Sequence, residues 1–179
     1  MLAMDLVRKG LYTDQVVLDV GYDVENLSEP LRAAAYKGPV TTDYYGRKVP
    51  KSVHGSQNLG RKTTSAKMIS SAICAIYDRV VDPGLTVRRF NLAVTRLVAG
   101  DELDKQESEV EQLDFFTDYE AKDKALEAEE EGLRRERQVQ EALLEIRERF
   151  GKNAVVKGLN LQKGATALER NRQIGGHKA

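Results

Sequence analysis

Two hydrophobic periods alternate along the chain, and the switches between them mark the elements. Leu2, Leu6 and Val7, with Met1 and Met4 beside them, have helical spacing, and Gly10 is the natural stop. This helix starts abruptly on apolar residues with no N-cap, like the second half of a longer helix. From Gln15 to Asp23 the period becomes two. Val16, Leu18, Val20 and Tyr22 fall on one face, and Val17, Asp19 and Gly21 on the other, which predicts a strand with one buried side. Glu25 to Arg47 reads as a long connection broken by Pro30, Gly38, Pro39 and Gly46, with a turn or two of helix over Leu31–Tyr36. Lys48–Ser56 is a weaker strand, and Pro50 places it at an edge or a strand start. Gln57–Thr64 is polar, contains Gly60 and reads as a loop.

Ser65 is the expected N-cap of a helix over Ala66–Val80. Its apolar stripe is Met68, Ile69, Ala72, Ile73, Ile76, Tyr77 and Val80. Asp82-Pro83-Gly84 ends it, and Thr86–Val98 follows as the strongest strand. Phe90, Leu92, Val94 and Val98 mark the core face of that strand, and Arg89 lies on the outer face. The order helix, strand, strand, helix, strand predicts an α+β fold, an antiparallel sheet with two helices on one face. Residues 1–100 make this module, 101–117 a linker, 118–151 a charged helix ended by Gly151, and 152–179 a partly ordered tail.

The net charge of zero conceals a partition. Residues 1–100 hold 14 basic and 9 acidic side chains, residues 101–151 hold 8 and 18, and residues 152–179 hold 6 and 1. A basic head, an acidic middle and a basic tail suit a module that faces a polyanion. Cys74, the single cysteine, sits in an apolar run and is expected to be a small buried hydrophobe. No apolar run has membrane-span length and no signal-peptide pattern opens the chain, so no membrane partner and a cytoplasmic location are expected.

Within the polar linker stands Gln112-Leu113-Asp114-Phe115-Phe116. Leu113, Phe115 and Phe116 could fill apolar pockets on a partner while the Gln112 amide sets the register. Alternatively, the same three side chains staple the linker onto the folded module. The spacing resembles the pentapeptide with which bacterial DNA polymerases and repair proteins bind the sliding clamp, with Phe115 where Leu is more usual. Three further stretches extend the resemblance: Thr86–Leu97, Asn58–Thr64, and the tail pieces Arg149–Ala154 and Gln173–Ala179. Together they resemble the C-terminal part of a Y-family translesion DNA polymerase, in the UmuC-like branch of Gram-positive bacteria. The resemblance implies an incomplete little-finger domain that grips DNA, joined to a clamp-binding tail.

Charge alone describes Lys48, Lys51, Arg61, Lys62, Arg88, Arg89 and Arg96 as a solvated basic surface. With the resemblance, the same residues are expected to hold the DNA backbone without reading sequence. Polymerisation needs metal ions held by clustered carboxylates. The family's palm signature for that Mg2+ site, Ser-x-Asp-Glu, does not occur here, and Asp101-Glu102 lies in the acidic linker. The chain by itself is therefore expected to be non-catalytic and to hold no cofactor, with DNA and the sliding clamp as partners in damage tolerance. A stand-alone clamp- and DNA-binding regulator, and a helical adaptor whose basic head pairs with its own acidic helix, are the competing readings.

Overall fold

The structure, a computed structural model, describes residues 2–103, 119–174, 177 and 178. The chain divides into two compact units, one of Gly10–Val110 and one of Met1–Lys9 with Glu111–Ala179. The sequence opens with α1 (Leu2–Lys9), which belongs to the second unit. In the first unit the order is β1 (Leu11–Tyr22), α2 (Glu25–Ser28), α3 (Pro30–Ala35), β2 (Val40–Thr42), β3 (Lys48–Pro50) and β4 (Val53–Thr63). α4 (Ala66–Val80), β5 (Val87–Thr95), β6 (Val98–Ala99) and α5 (Gly100–Leu103) complete it. The architecture is α+β with an antiparallel sheet, as the two periods predict.

β1 is the centre of the sheet, flanked by β4 and β5, and β6 pairs with its first two residues. Its predicted inner face is the core: Val16, Leu18, Val20 and Tyr22 are all buried. α4 covers β4 and β1 and contributes Ile69, Ala72 and Ile76 to that core. Full burial of each isoleucine stabilises by about 2–3 kcal/mol. Ser65 caps α4, its Oγ accepting from the Met68 N–H at 3.2 Å. The helix comes close to the sheet because β4 offers Gly55 beneath it. A Cβ at that position would lie 2.6 Å from Ile76 Cγ2.

Four expectations need correction. The sequence Gln57–Thr63 is strand rather than loop, since β4 continues to pair with β1 as far as Thr13↔Thr63, with an irregularity around Gly60. The long connection after β1 holds the expected turn of helix, as α3, but also α2 and the β2–β3 hairpin, which were not expected. Cys74 is exposed, since it lies about 200° around α4 from both Ala72 and Ile76, on the solvent side. Phe90 and Leu92 do stand opposite Val20 and Leu18, on the core side of the sheet. They are nevertheless 54% and 47% exposed, because α4 lies over the other half.

The second unit is built on α6 (Tyr119–Phe150), a single helix of 32 residues. Gly151, at φ 89°, ends it as predicted. Ion pairs Arg135–Glu131 and Arg137–Glu141 run along it at one-turn spacing. α1, with Ala3, Leu6 and Val7 buried, packs on α6. Beyond α6 come a 3-10 turn (Gly158–Leu161), α7 (Ala167–Arg170) and two short paired strands, β7 (Gln173–Ile174) and β8 (His177–Lys178). Side chains tie this segment together, Asn153 donating to the Leu168 carbonyl at 3.1 Å and Asn171 donating to Asn153 Oδ1 at 2.7 Å.

Candidate nucleic-acid interface

At one end of the sheet, β2 and β3 make a hairpin whose tip is Asp43-Tyr44-Tyr45-Gly46-Arg47. One carboxylate organises the tip. Asp43 Oδ1 accepts from the N–H groups of Tyr45 and Arg47, each at 2.9 Å. Its Oδ2 accepts from Arg47 Nε at 2.9 Å and Nη2 at 2.7 Å. Gly46 completes the reversal at φ 79°, a conformation that a side chain would strain. The Arg47 hydrogen bonds, first of all, hold the Asp43 carboxyl below its usual pKa. A folded-state pKa below the unfolded one stabilises above the ordinary carboxylate range. That contribution disappears as pH falls through the lowered value, so the tip stays clamped at neutral pH.

β5 reaches the same end with an extra residue. On β1, Gly21 and Tyr22 are consecutive, but their partners on β5 are Arg89 and Val87. Arg88 is therefore the additional residue of a β-bulge, the device by which strands re-aim a side chain. Strict alternation would put Arg88 and Arg89 on opposite faces. With the bulge, both line one cleft of about 500 Å³, together with Gly21, Tyr45, Arg47 and Ser52. Tyr44 is also part of its wall. Gly21 makes room for the arginine stem, since a Cβ there would lie 3.1 Å from both Cγ and Nε of Arg89. Two carboxylates moderate the charge, Asp43 on Arg47 at 2.7 Å and Asp23 beside Arg88 at 3.8 Å.

The other predicted DNA contacts are distributed unevenly. Lys48 is exposed on β3, opposite Thr42. Lys51 is exposed just beyond it and borders a second cleft with Arg32 and Tyr36. Burial is the main reason that the Tyr36 hydroxyl has a raised pKa, and it donates to the Pro39 carbonyl at 2.9 Å. Arg61, Lys62 and Arg96 are at the opposite end of the sheet. Lys62 ion-pairs with Asp14 at 2.9 Å and donates to the Arg96 carbonyl at 2.7 Å. Arg96 follows β5 with φ 53°. Six strand residues separate the Gly21 level from the Gln15 level, which is about 20 Å. The predicted residues thus form two groups, with Arg88 and Arg89 together and Lys62 and Arg96 together. Gln112, Leu113, Asp114, Phe115 and Phe116 lie outside the described residues.

Between the two groups the outer face is mostly polar and uncharged. Gln15 donates to Asn58 Oδ1 at 3.1 Å and accepts from Thr95 Oγ1 at 2.7 Å, a side-chain ladder across three strands. His54 and Asp19 face each other there at 3.9 Å. Among the described residues, no three His, Cys, Asp or Glu side chains converge to hold a metal ion, and no helix is long and apolar enough to cross a membrane. Tyr44, Tyr45, Arg47 and Gly21 are the cleft residues that sequence reasoning missed. The available signal was Asp43-x-x-Gly46 between two short β-prone stretches, a turn signature. Comparison with protein-family models, with curated proteins and with solved structures finds no match to this chain.

Proposed function

We propose that this chain is the DNA-gripping and clamp-docking C-terminal region of a translesion DNA polymerase of the Y-family type, acting in the cytoplasm and non-catalytic by itself. The observation that carries the reading is the bulge at Arg88. It directs two adjacent guanidiniums into one open cleft at a sheet end, beside Arg47 of a rigid hairpin. Arginine forks suit phosphate oxygens, and backbone contacts hold DNA without selecting its sequence. The α+β unit with its antiparallel sheet is compatible with a little-finger domain, and Gln112–Phe116 supplies the clamp peptide. The adaptor reading has less support. Two acidic residues of α6, Glu131 and Glu141, have arginine partners on the same helix, and those two do not call for a basic head.

The test uses the intact chain, duplex DNA of several sequences and the purified bacterial sliding clamp. Arg88→Ala with Arg89→Ala is expected to weaken duplex binding by a similar factor for every sequence. Gln112→Ala with Leu113→Ala and Phe116→Ala is expected to abolish clamp binding, measured by calorimetry, and to leave DNA binding intact. A sequence-selective loss in the first variant would argue against backbone gripping. Unchanged clamp affinity in the second would remove the docking claim.

A further inference from the structure

The hairpin tip presents two largely exposed aromatic rings. Tyr44 is 96% exposed and Tyr45 74% exposed. They stand edge to face, with centroids 5.4 Å apart and planes at 86°. The Arg47 guanidinium lies over the Tyr45 ring, 5.1 Å from its centroid. Asp43 fixes both Arg47 and the backbone of Tyr45, so the rings are carried on a preorganised loop rather than a loose one. The same two tyrosines wall the cleft that Arg88 and Arg89 line.

Exposed aromatic rings next to arginines match one ligand chemistry well, an unpaired base with its flanking phosphates. Duplex bases are stacked on one another and offer no face to a ring, whereas a single strand does. We infer that Tyr44 and Tyr45 form a stacking platform for the unpaired bases of single-stranded DNA, with Arg88 and Arg89 taking the adjoining phosphates. The inference rests on the DNA-gripping reading and deepens it, since it assigns a strand state to this end of the sheet. Every base has a π-face, so the platform is tolerant of sequence.

The experiment compares three probes on the full chain by fluorescence anisotropy: a short oligothymidylate, a base-free phosphodiester chain of equal length, and a duplex. The chain has no tryptophan and seven tyrosines, so the part of the emission quenching that is lost in the Tyr44/Tyr45 alanine variant reports stacking on the platform. Oligothymidylate is expected to bind at least about tenfold more tightly than the base-free chain and to quench the emission. Tyr44→Ala with Tyr45→Ala should remove that advantage, bringing oligothymidylate affinity down to that of the base-free chain, while Tyr44→Phe with Tyr45→Phe should keep it. Equal binding of the base-free chain and oligothymidylate overturns the platform, as does an alanine variant that binds oligothymidylate like the parent. Duplex binding without a single-strand preference overturns the platform alone, and binding to none of the three probes overturns the DNA reading with it.

Discussion

Asn26 has no exposure, yet none of its amide is wasted. Its Nδ2 donates to the carbonyls of Asp23 and Thr86, at 3.0 and 2.9 Å, and its Oδ1 accepts from the Thr86 N–H at 2.9 Å. One side chain thus fastens the short helix after β1 to the residue that leads into β5, sixty residues away in sequence. Asn26→Ala takes three part-buried hydrogen bonds from Asp23 and Thr86, and the loss of one such bond costs about 1 kcal/mol. The expected outcome is a lower denaturant midpoint with an unchanged slope, read by urea titration. A change in slope instead would mean that the unfolded ensemble, not the staple, had been altered. Such a role is invisible in sequence, because an asparagine after Asp23-Val24-Glu25 looks like any polar loop residue. Gly55 hides in the same way. Its need for a missing Cβ arises only when α4 brings Ile76 above it.

At the scale of elements, legibility followed burial. β1 and α4 were readable because each has one fully buried face and its period appears in the apolar positions. β4 was half readable. Its second half is Gln57-Asn58-Leu59-Gly60-Arg61-Lys62-Thr63, and polar side chains carry the pairing there, as in the Gln15–Asn58 bond. A period rule based on apolar residues has nothing to register in that segment. β5 was read as a strand with Arg89 on its outer face, but the bulge that brings Arg88 to the same cleft was not, since an extra residue breaks the alternation without any mark in the apolar pattern. Of the candidate site, Arg88 and Arg89 were legible, and the hairpin with its tyrosines and Arg47 was not. β2 and β3 are three residues each, too short for any period to show.

Lys62 gives an element-level prediction that separates two roles. It was expected to hold DNA, but its ammonium joins Asp14 on β1 to the Arg96 carbonyl beyond β5, binding three strands at one end of the sheet. Hydrogen bonds to charged groups contribute about 1.5–3 kcal/mol, with exposure reducing the value. Lys62→Ala is therefore expected to lower thermal stability measurably while changing duplex affinity less than Arg89→Ala does. Equal losses of affinity in the two variants would return Lys62 to the interface.

For the whole molecule, the decisive property is how charge is divided along the chain. The head carries 14 basic against 9 acidic side chains, and the following stretch 8 against 18, so a net charge of zero says nothing about either part. Long-range attraction to DNA therefore depends on local groups rather than on the average. Arg88 and Arg89 at the bulge, with Lys48 and Lys51 next in the chain to Val49, Pro50 and Ser52 of the same cleft, give about four candidate phosphate contacts. Arg47 is largely committed to Asp43. Each contact releases counterions, so the logarithm of the duplex association constant should fall with the logarithm of salt at a slope of about −3 to −4. Removing Arg88 and Arg89 together should reduce that slope by about 2, in a salt titration of binding anisotropy. A slope near zero in the parent chain would show that phosphates are not what the head recognises. The basic residues would then be solvated surface, and the adaptor reading would take precedence. A steep slope that the double variant leaves unchanged would instead move the grip to the other end of the sheet, where Arg61 and Arg96 stand. The bulge would then be a feature of strand pairing alone.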